Sequence, residues 1–276
     1  MRTALTIAGS DPSGGAGIQA DIKTMAANGI YAMGAITALT AQNTTGVYGI
    51  MEVPPEFLSA QIETAATDIP PDAVKIGMIP SRKHAEAVAG CAARLSLANI
   101  VTDPVIISTS GASLIPDGDV GALADALFPL STIITPNIPE AERLSGFGAG
   151  TIGTKARVEK AAELLQKRYG CAVLVKGGHA RASADDFLIT NDGNGTWISG
   201  QRIENPNTHG TGCTLSSAIC AFLAKGMGLE RSVVLAKEYV TGAISSMMRL
   251  GNGRGPLNHL WKNEFSPGTP VSGMSQ

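Results

Sequence analysis

The chain has few of the features that mark a disulfide scaffold, a zinc module or a nucleic-acid binder. Four cysteines (Cys91, Cys171, Cys213 and Cys220) are scattered over 276 residues without CxxC spacing. That argues against a disulfide framework or a zinc site and for a reducing cytoplasm. Neither sign of charge dominates, with 21 Lys+Arg against 23 Asp+Glu, so the surface favours neither nucleic acid nor an acidic membrane. There is no basic tail, aromatic-rich basic stripe or heptad repeat. No stretch approaches the ~20 apolar residues of a membrane span. The apolar start up to Ala8 is too short for a signal-peptide core and reads as a first strand. A G-x-S-x-G elbow, a Walker sequence and any His/Cys/Asp cluster with metal-ligand spacing are also missing, and no low-complexity linker divides the chain. One domain over residues 1–276 is the expectation.

What remains is 44% hydrophobic, enough for a large α/β core. Short apolar runs alternate with helix-period segments. Strands are expected at Ala4–Ala8, Ala32–Leu39, Ala73–Gly77, Ile100–Asp103, Thr132–Thr135 and Ala172–Lys176. Helices are expected near 17–28, 56–66, 82–96, 119–128, 139–145, 154–168, 211–225 and 230–249. This alternation predicts a mainly parallel sheet with helices on both faces, a three-layer α/β/α sandwich. After Lys176 the pattern changes, and Asp186 to Ile198 reads as a late antiparallel hairpin. In such sheets ligands gather at the carboxyl ends of the strands. The loops Gly9–Gly17, Thr40–Thr45, Asp103-Pro104, Pro136-Asn137 and Gly177–His179 should therefore share one cleft.

The densest signal is Thr208-His209-Gly210-Thr211-Gly212-Cys213-Thr214, running directly into an apolar helix. Two glycines around a small hydroxyl residue make a backbone nest at a helix N-terminus, where N–H groups converge on an anion. Cys213 sits at its mouth between Gly212 and Thr214, whereas Cys91, Cys171 and Cys220 lie in core-like surroundings. Lys176 ends a buried-type strand, where an ammonium needs an anionic partner such as a triphosphate. Asn137 and Glu140 open a helix, and fit either waters around a magnesium ion or an N-cap with an acidic first turn. Gln42-Asn43 offers a carboxamide suited to an aminopyrimidine or pyridine edge, or else ordinary turn polars. Gly15-Ala16-Gly17-Ile18-Gln19-Ala20 matches G-x-G-x-x-A, but no acid follows at the ribose position, which disfavours a dehydrogenase. The first loop, with Asp11, is long enough to close on a small ligand. No histidine is assigned a catalytic role: His179 and His209 read as loop caps, His84 and His259 as surface residues.

Taken jointly, Ala8 to Thr24, Thr40 to Thr44, Thr135-Pro136-Asn137, Lys176 to His179 and His209 to Ser216 resemble the hydroxymethylpyrimidine/phosphomethylpyrimidine kinases of thiamine biosynthesis, in the ribokinase-like superfamily. The resemblance runs to Gly251–Pro256. It implies ATP with Mg²⁺ and two successive phosphorylations of one pyrimidine. By position it makes Gln42, Gly9, Asp11 and Met78 substrate-binding, and puts Asn137, Glu140, Lys176 and Thr208 with the nucleotide. Glu140 and Asp103 are the expected magnesium ligands. Gly210, Thr211 and Gly212 match an anion hole. Lys176 joins them in catalysis, and Cys213 stands where related sugar kinases carry an aspartate base. A thiol at a helix N-terminus ionises more readily, although phosphates oppose this. Ala112 and Ser113 depart from the family, which usually has an acidic residue there. A homodimer is the expected assembly. The rival readings are a pyridoxal kinase of the same fold, and a non-catalytic pyrimidine sensor, which should show a damaged nest or lack Lys176.

Overall fold

The computed structural model describes residues 1–106, 114–177 and 184–262. The helices form where the apolar period is 3.6, and all eight expected ones are present: α1 Gly17–Ala27, α2 Pro55–Asp68, α3 Arg82–Arg94, α4 Val120–Leu127, α5 Ile138–Ser145, α6 Lys155–Tyr169, α7 Thr211–Ala224 and α8 Leu229–Ser245. The strands are β1 Thr3–Ser10, β2 Tyr31–Asn43, β3 Gly46–Glu52, β4 Ala73–Ile76, β5 Ile100–Thr102, β6 Ile133–Ile134, β7 Ala172–Val175, β8 Asp186–Ile189 and β9 Gly195–Ile198. They form one sheet in the order β3-β2-β1-β4-β5-β6-β7-β8-β9. The six strands from β2 to β7 in that order pair in parallel, while β3, β8 and β9 join antiparallel. This is the three-layer sandwich with a late hairpin that the alternation predicts.

Strand residues sort by parity, as the period of two requires. Leu5, Ile7, Val74, Ile76, Ile134 and Val173 pack with α2 to α6 on one face. Ala4, Ala73, Val101, Ile133 and Leu174 pack with α1, α7 and α8 on the other. Strand order reverses beside β1, whose neighbours are β2 and β4, and such a switch point is where open α/β sheets bind ligands.

Three expectations need correction. Thr40–Thr45 is not simply a loop: β2 continues to Asn43 and pairs antiparallel with β3, a strand the periodicity missed. Gln42 therefore stands on a strand, opposite Val47. His84 and His259 are buried, not on the surface. His84 lies 2.8 Å from Ser81 Oγ and 2.7 Å from the Val53 carbonyl. Burial pushes His259 down to about 4, and its Nε2 lies 3.1 Å from Thr214 Oγ1. The expected loop at Gly177–His179 lies mostly outside the described residues, as do Ala112 and Ser113.

Candidate active site

A cleft of about 1010 Å³ opens at the carboxyl ends of the strands, and every residue the sequence nominates lines it. Its floor is the start of α7. Gly210 caps that helix with φ 78°, a left-handed conformation that a side chain disfavours. A Cβ there would also stand 1.8 Å from the Gly15 carbonyl oxygen. The glycine thus lets the nest and the first loop touch. The N–H groups of Gly212 and Cys213 have no protein acceptor among the described residues, so the helix presents them as an anion cradle.

The first loop is organised by Asp11. Its carboxylate accepts hydrogen bonds from Ser13 N–H at 2.9 Å, Ser13 Oγ at 2.7 Å and Ala16 N–H at 2.9 Å. His209 Nε2 lies 2.9 Å from the same carboxylate and 3.3 Å from Gln42 Nε2. Burial works against the charge, but these hydrogen bonds, led by His209, hold Asp11 below its ordinary value. Asp11 thus lines the cleft with its oxygens already engaged. Gly9 lies close against Met78, whose sulfur would be 2.8 Å from a Cβ built there. The sequence treats His209 as a loop cap, whereas the fold makes it the link between first loop, nest and Gln42. Its position next to the nest was the available signal.

The acidic and basic residues meet at the opposite wall. Lys176 Nζ is 2.7 Å from Asp103 Oδ1, which also accepts from Thr135 Oγ1 at 3.1 Å. A Cβ on Gly212 would lie 3.3 Å from Lys176 Nζ and 3.4 Å from Asp103 Oδ2, so this pair borders the nest. Burial would raise Asp103, but Lys176 and then Lys75 outweigh it and its carboxyl stays below the usual range. Glu140 behaves oppositely: burial, with Asp103 adding to it and Lys176 opposing, raises it to about 7. Both Asn137 readings bear on the same atoms. Asn137 Oδ1 accepts from Glu140 N–H at 2.9 Å, Glu140 Oε2 accepts from Asn137 N–H at 2.8 Å, and this completes a capping box. Thr208 lies on the cleft wall beside the nest.

Cys213 is partly buried, and burial pushes its thiol up to about 11, with Lys75 opposing. Two residues the sequence reading passed over sit beneath it: Lys75 and Asp21, fully buried and ion-paired at 2.8 Å. Lys75 stands in a buried-type strand as Lys176 does, so the same argument from an unpartnered ammonium could have found it.

An anion cradle at a helix N-terminus, bordered by a lysine and two buried carboxylates, defines a phosphoryl-transfer enzyme on a ribokinase-like fold. The sequence pattern of the phosphomethylpyrimidine kinase family matches residues 11–258, and the chain belongs to that family. It is 43% identical over 263 residues to a hydroxymethylpyrimidine/phosphomethylpyrimidine kinase of Haemophilus influenzae, covering 94% of this chain and 97% of that one. A thiamine biosynthesis bifunctional protein of Geobacter sulfurreducens is 45% identical over 257 residues, and there this chain spans 52% of the relative's length. Among solved structures, a phosphomethylpyrimidine kinase of Clostridium difficile superposes with TM-score 0.78 at 40% identity, covering 88% and 100% of the two chains. A pyridoxal kinase of Bacillus subtilis in an ADP complex gives 0.86 at 35% identity, covering 94% and 97%.

Proposed function

We propose that this kinase phosphorylates 4-amino-5-hydroxymethyl-2-methylpyrimidine with ATP, and then phosphorylates the monophosphate to the diphosphate. The observation that carries the reading is the junction of nest, Lys176, Asp103 and Cys213 at one end of the cleft, with Gln42 beyond the first loop. Gln42 hydrogen-bonds the heteroaromatic ring, which packs beside Gly9 and Met78. The triphosphate lies along Asn137, Lys176 and Thr208, with its γ-phosphoryl group at Gly210–Gly212. Lys176 and the nest N–H groups offset charge on the transferred group, the dominant requirement of a loose phosphoryl-transfer transition state. Cys213 takes the hydroxyl proton as the new O–P bond forms and ADP leaves.

Magnesium fits the donor set. Two buried carboxylates, Asp103 and Glu140, face the lysine that would border the phosphates, and Mg²⁺ is commonly held by one or two carboxylates together with phosphates and water. The raised Glu140 suits a group that ionises when a cation arrives. Held by Asp103 and Glu140, the ion would supply positive charge to offset that of the phosphates.

The decisive assay gives the purified protein ATP and Mg²⁺ with the hydroxymethylpyrimidine, its monophosphate and pyridoxal in parallel. ADP release with both pyrimidines supports the reading; turnover of pyridoxal alone would transfer the assignment to the rival kinase. Intact nest residues and Lys176 speak against the non-catalytic sensor.

We also read residues 1–276 as one catalytic unit, since a single sheet gathers the described site loops. Four free cysteines and the absence, among described residues, of any helix able to cross a membrane support a cytoplasmic location. A homodimer is supported by exposed apolar side chains along the edge strand β3: Tyr48, Ile50 and Met51, the first at 69% exposure. Apolar edge strands of this kind are usually covered.

A further inference from the structure

The mechanism above leaves one buried ion pair without a task. Lys75 on β4 and Asp21 on α1 are both fully buried, with Nζ 2.8 Å from Oδ2. Asp21 Oδ2 also accepts from Thr6 Oγ1 of β1 at 2.6 Å, and Oδ1 accepts from Ser217 Oγ of α7 at 2.7 Å. Four elements converge on one carboxylate. A buried ion pair is seldom more stabilising than apolar residues of the same volume, so its stability alone does not explain its presence.

The geometry points it at the site. Ser217 follows Cys213 by four residues on α7, one turn, so the carboxylate lies a turn below the thiol. The Lys75 ammonium has run forward to the end of β4: a Cβ on Gly77 would be 2.5 Å from Nζ. There its side chain shares the cleft wall with Gly9, Gly17 and Cys213. Among the described residues Asp21 is its one hydrogen-bond acceptor, although an ammonium has three donors. Gly17, the first residue of α1, lines the same wall as Cys213. The thiol therefore sits at the start of α7, on the same wall as the start of α1 and the Lys75 side chain.

We propose that Lys75 is a positioning residue for phosphoryl transfer: its buried ammonium keeps the Cys213 sulfur ionisable, and Asp21 sets how much of that positive charge the sulfur feels. The proposal rests on Cys213 acting as the proton acceptor. All the charged groups facing the sulfur enter the balance. Lys75 and Gly17 N–H favour the thiolate, while Asp21, Asp103 and burial oppose it. Lys176, paired with Asp103 and near Glu140, adds positive charge from across the cleft. The proton balance is simple. The thiolate accepts the pyrimidine hydroxyl proton as its oxygen bonds the γ-phosphorus, the bond to ADP breaks, and the thiol later returns the proton to solvent.

The test follows alkylation of Cys213 by iodoacetamide against pH, read by peptide mass, in the wild type, Lys75→Met, Lys75→Arg and Asp21→Asn. Cys91, Cys171 and Cys220 are buried and report any unfolding. Lys75→Met should slow Cys213 alkylation at pH 8 about tenfold, one pKa unit of lost thiolate. Lys75→Arg should keep most of the rate, and Asp21→Asn should accelerate it. The pH profile of kcat for the hydroxymethylpyrimidine should move in the same directions, with KM for ATP unchanged. A folded Lys75→Met with an unshifted profile overturns the proposal, as does a shift of both neutralising variants in one direction. If Lys75→Met exposes the other three cysteines, Asp21→Asn decides: acceleration supports the proposal and no change overturns it. Alkylation that shifts while kcat does not would leave the Lys75 effect standing and remove Cys213 from the chemistry.

Discussion

At the residue scale, the proposed role of Cys213 as proton acceptor would separate the two phosphorylations. The hydroxymethyl acceptor must lose a proton, whereas a phosphate monoester is mostly dianionic above its second pKa near 6 and needs no base. Cys213→Ala should therefore lose ~10²–10⁴-fold in kcat on the hydroxymethylpyrimidine, and distinctly less on the monophosphate. Steady-state rates on the two substrates check this, and equal losses would argue that Cys213 supports the nest instead. Gln42→Ala should weaken pyrimidine binding by ~1–3 kcal/mol through an unpaired ring atom; a rise in KM for ATP alone would displace Gln42 from the pyrimidine end. Glu140 gives a stability prediction. Its folded value is raised, so its favourable contribution is complete below about pH 4.5 and is lost as pH climbs through about 7. Glu140→Gln keeps a side-chain oxygen for the capping box and removes the buried charge. The variant should melt higher than the wild type at pH 8, by on the order of 1–3 kcal/mol, with no gap near pH 4.5, while phosphoryl transfer collapses. Nucleotide-free thermal melts at the two pH values would expose the error if the gap ran the other way.

At the scale of elements, the nest is a joint between distant segments. Gly15 meets Gly210, His209 N–H donates to the Gly255 carbonyl at 3.2 Å, and Thr214 Oγ1 bonds the Gly210 carbonyl at 2.8 Å beside His259. Gly210→Ala would place a methyl group against the Gly15 backbone and force a left-handed φ, costing at least ~1–2 kcal/mol. We expect a lower melting temperature together with weaker ATP binding, because α7 and the first loop must separate; unchanged nucleotide affinity would show that the joint is not needed. Helices were the legible elements here. Their apolar positions recur within single stretches, so all eight were read to within about four residues at either end. β3 was not legible: Gly46–Glu52 carries two glycines and mostly exposed side chains, so no alternation marks it. The end of β2 was lost for the same reason, since Thr40, Gln42 and Asn43 are polar and the segment is only half covered.

At the scale of the whole molecule, the edge strand β3 exposes apolar side chains, Tyr48, Ile50 and Met51, that are out of keeping with the charge-balanced chain. If they join two copies, sedimentation should report twice the 28.3 kDa chain mass, and Ile50→Lys with Met51→Lys should yield a folded monomer. A wild-type monomer at micromolar concentration would refute this. The cleft itself also belongs to this scale, because its walls come from loops after β1, β4, β5, β6 and β7 together with the start of α7.

The sequence by itself determined the layered α/β architecture, the anion nest, Lys176 and the cysteine at its mouth. Each of these is encoded by residues adjacent in the chain, through period, glycine placement or a charge inside an apolar run. Tertiary structure alone decided the partners. Asp21 with Lys75, His209 with Asp11 and Lys176 with Asp103 are 54, 198 and 73 residues apart. Nothing local selects which buried charge meets which; that choice is made when the sheet brings strand ends together and desolvation requires every ion to find its counter-ion.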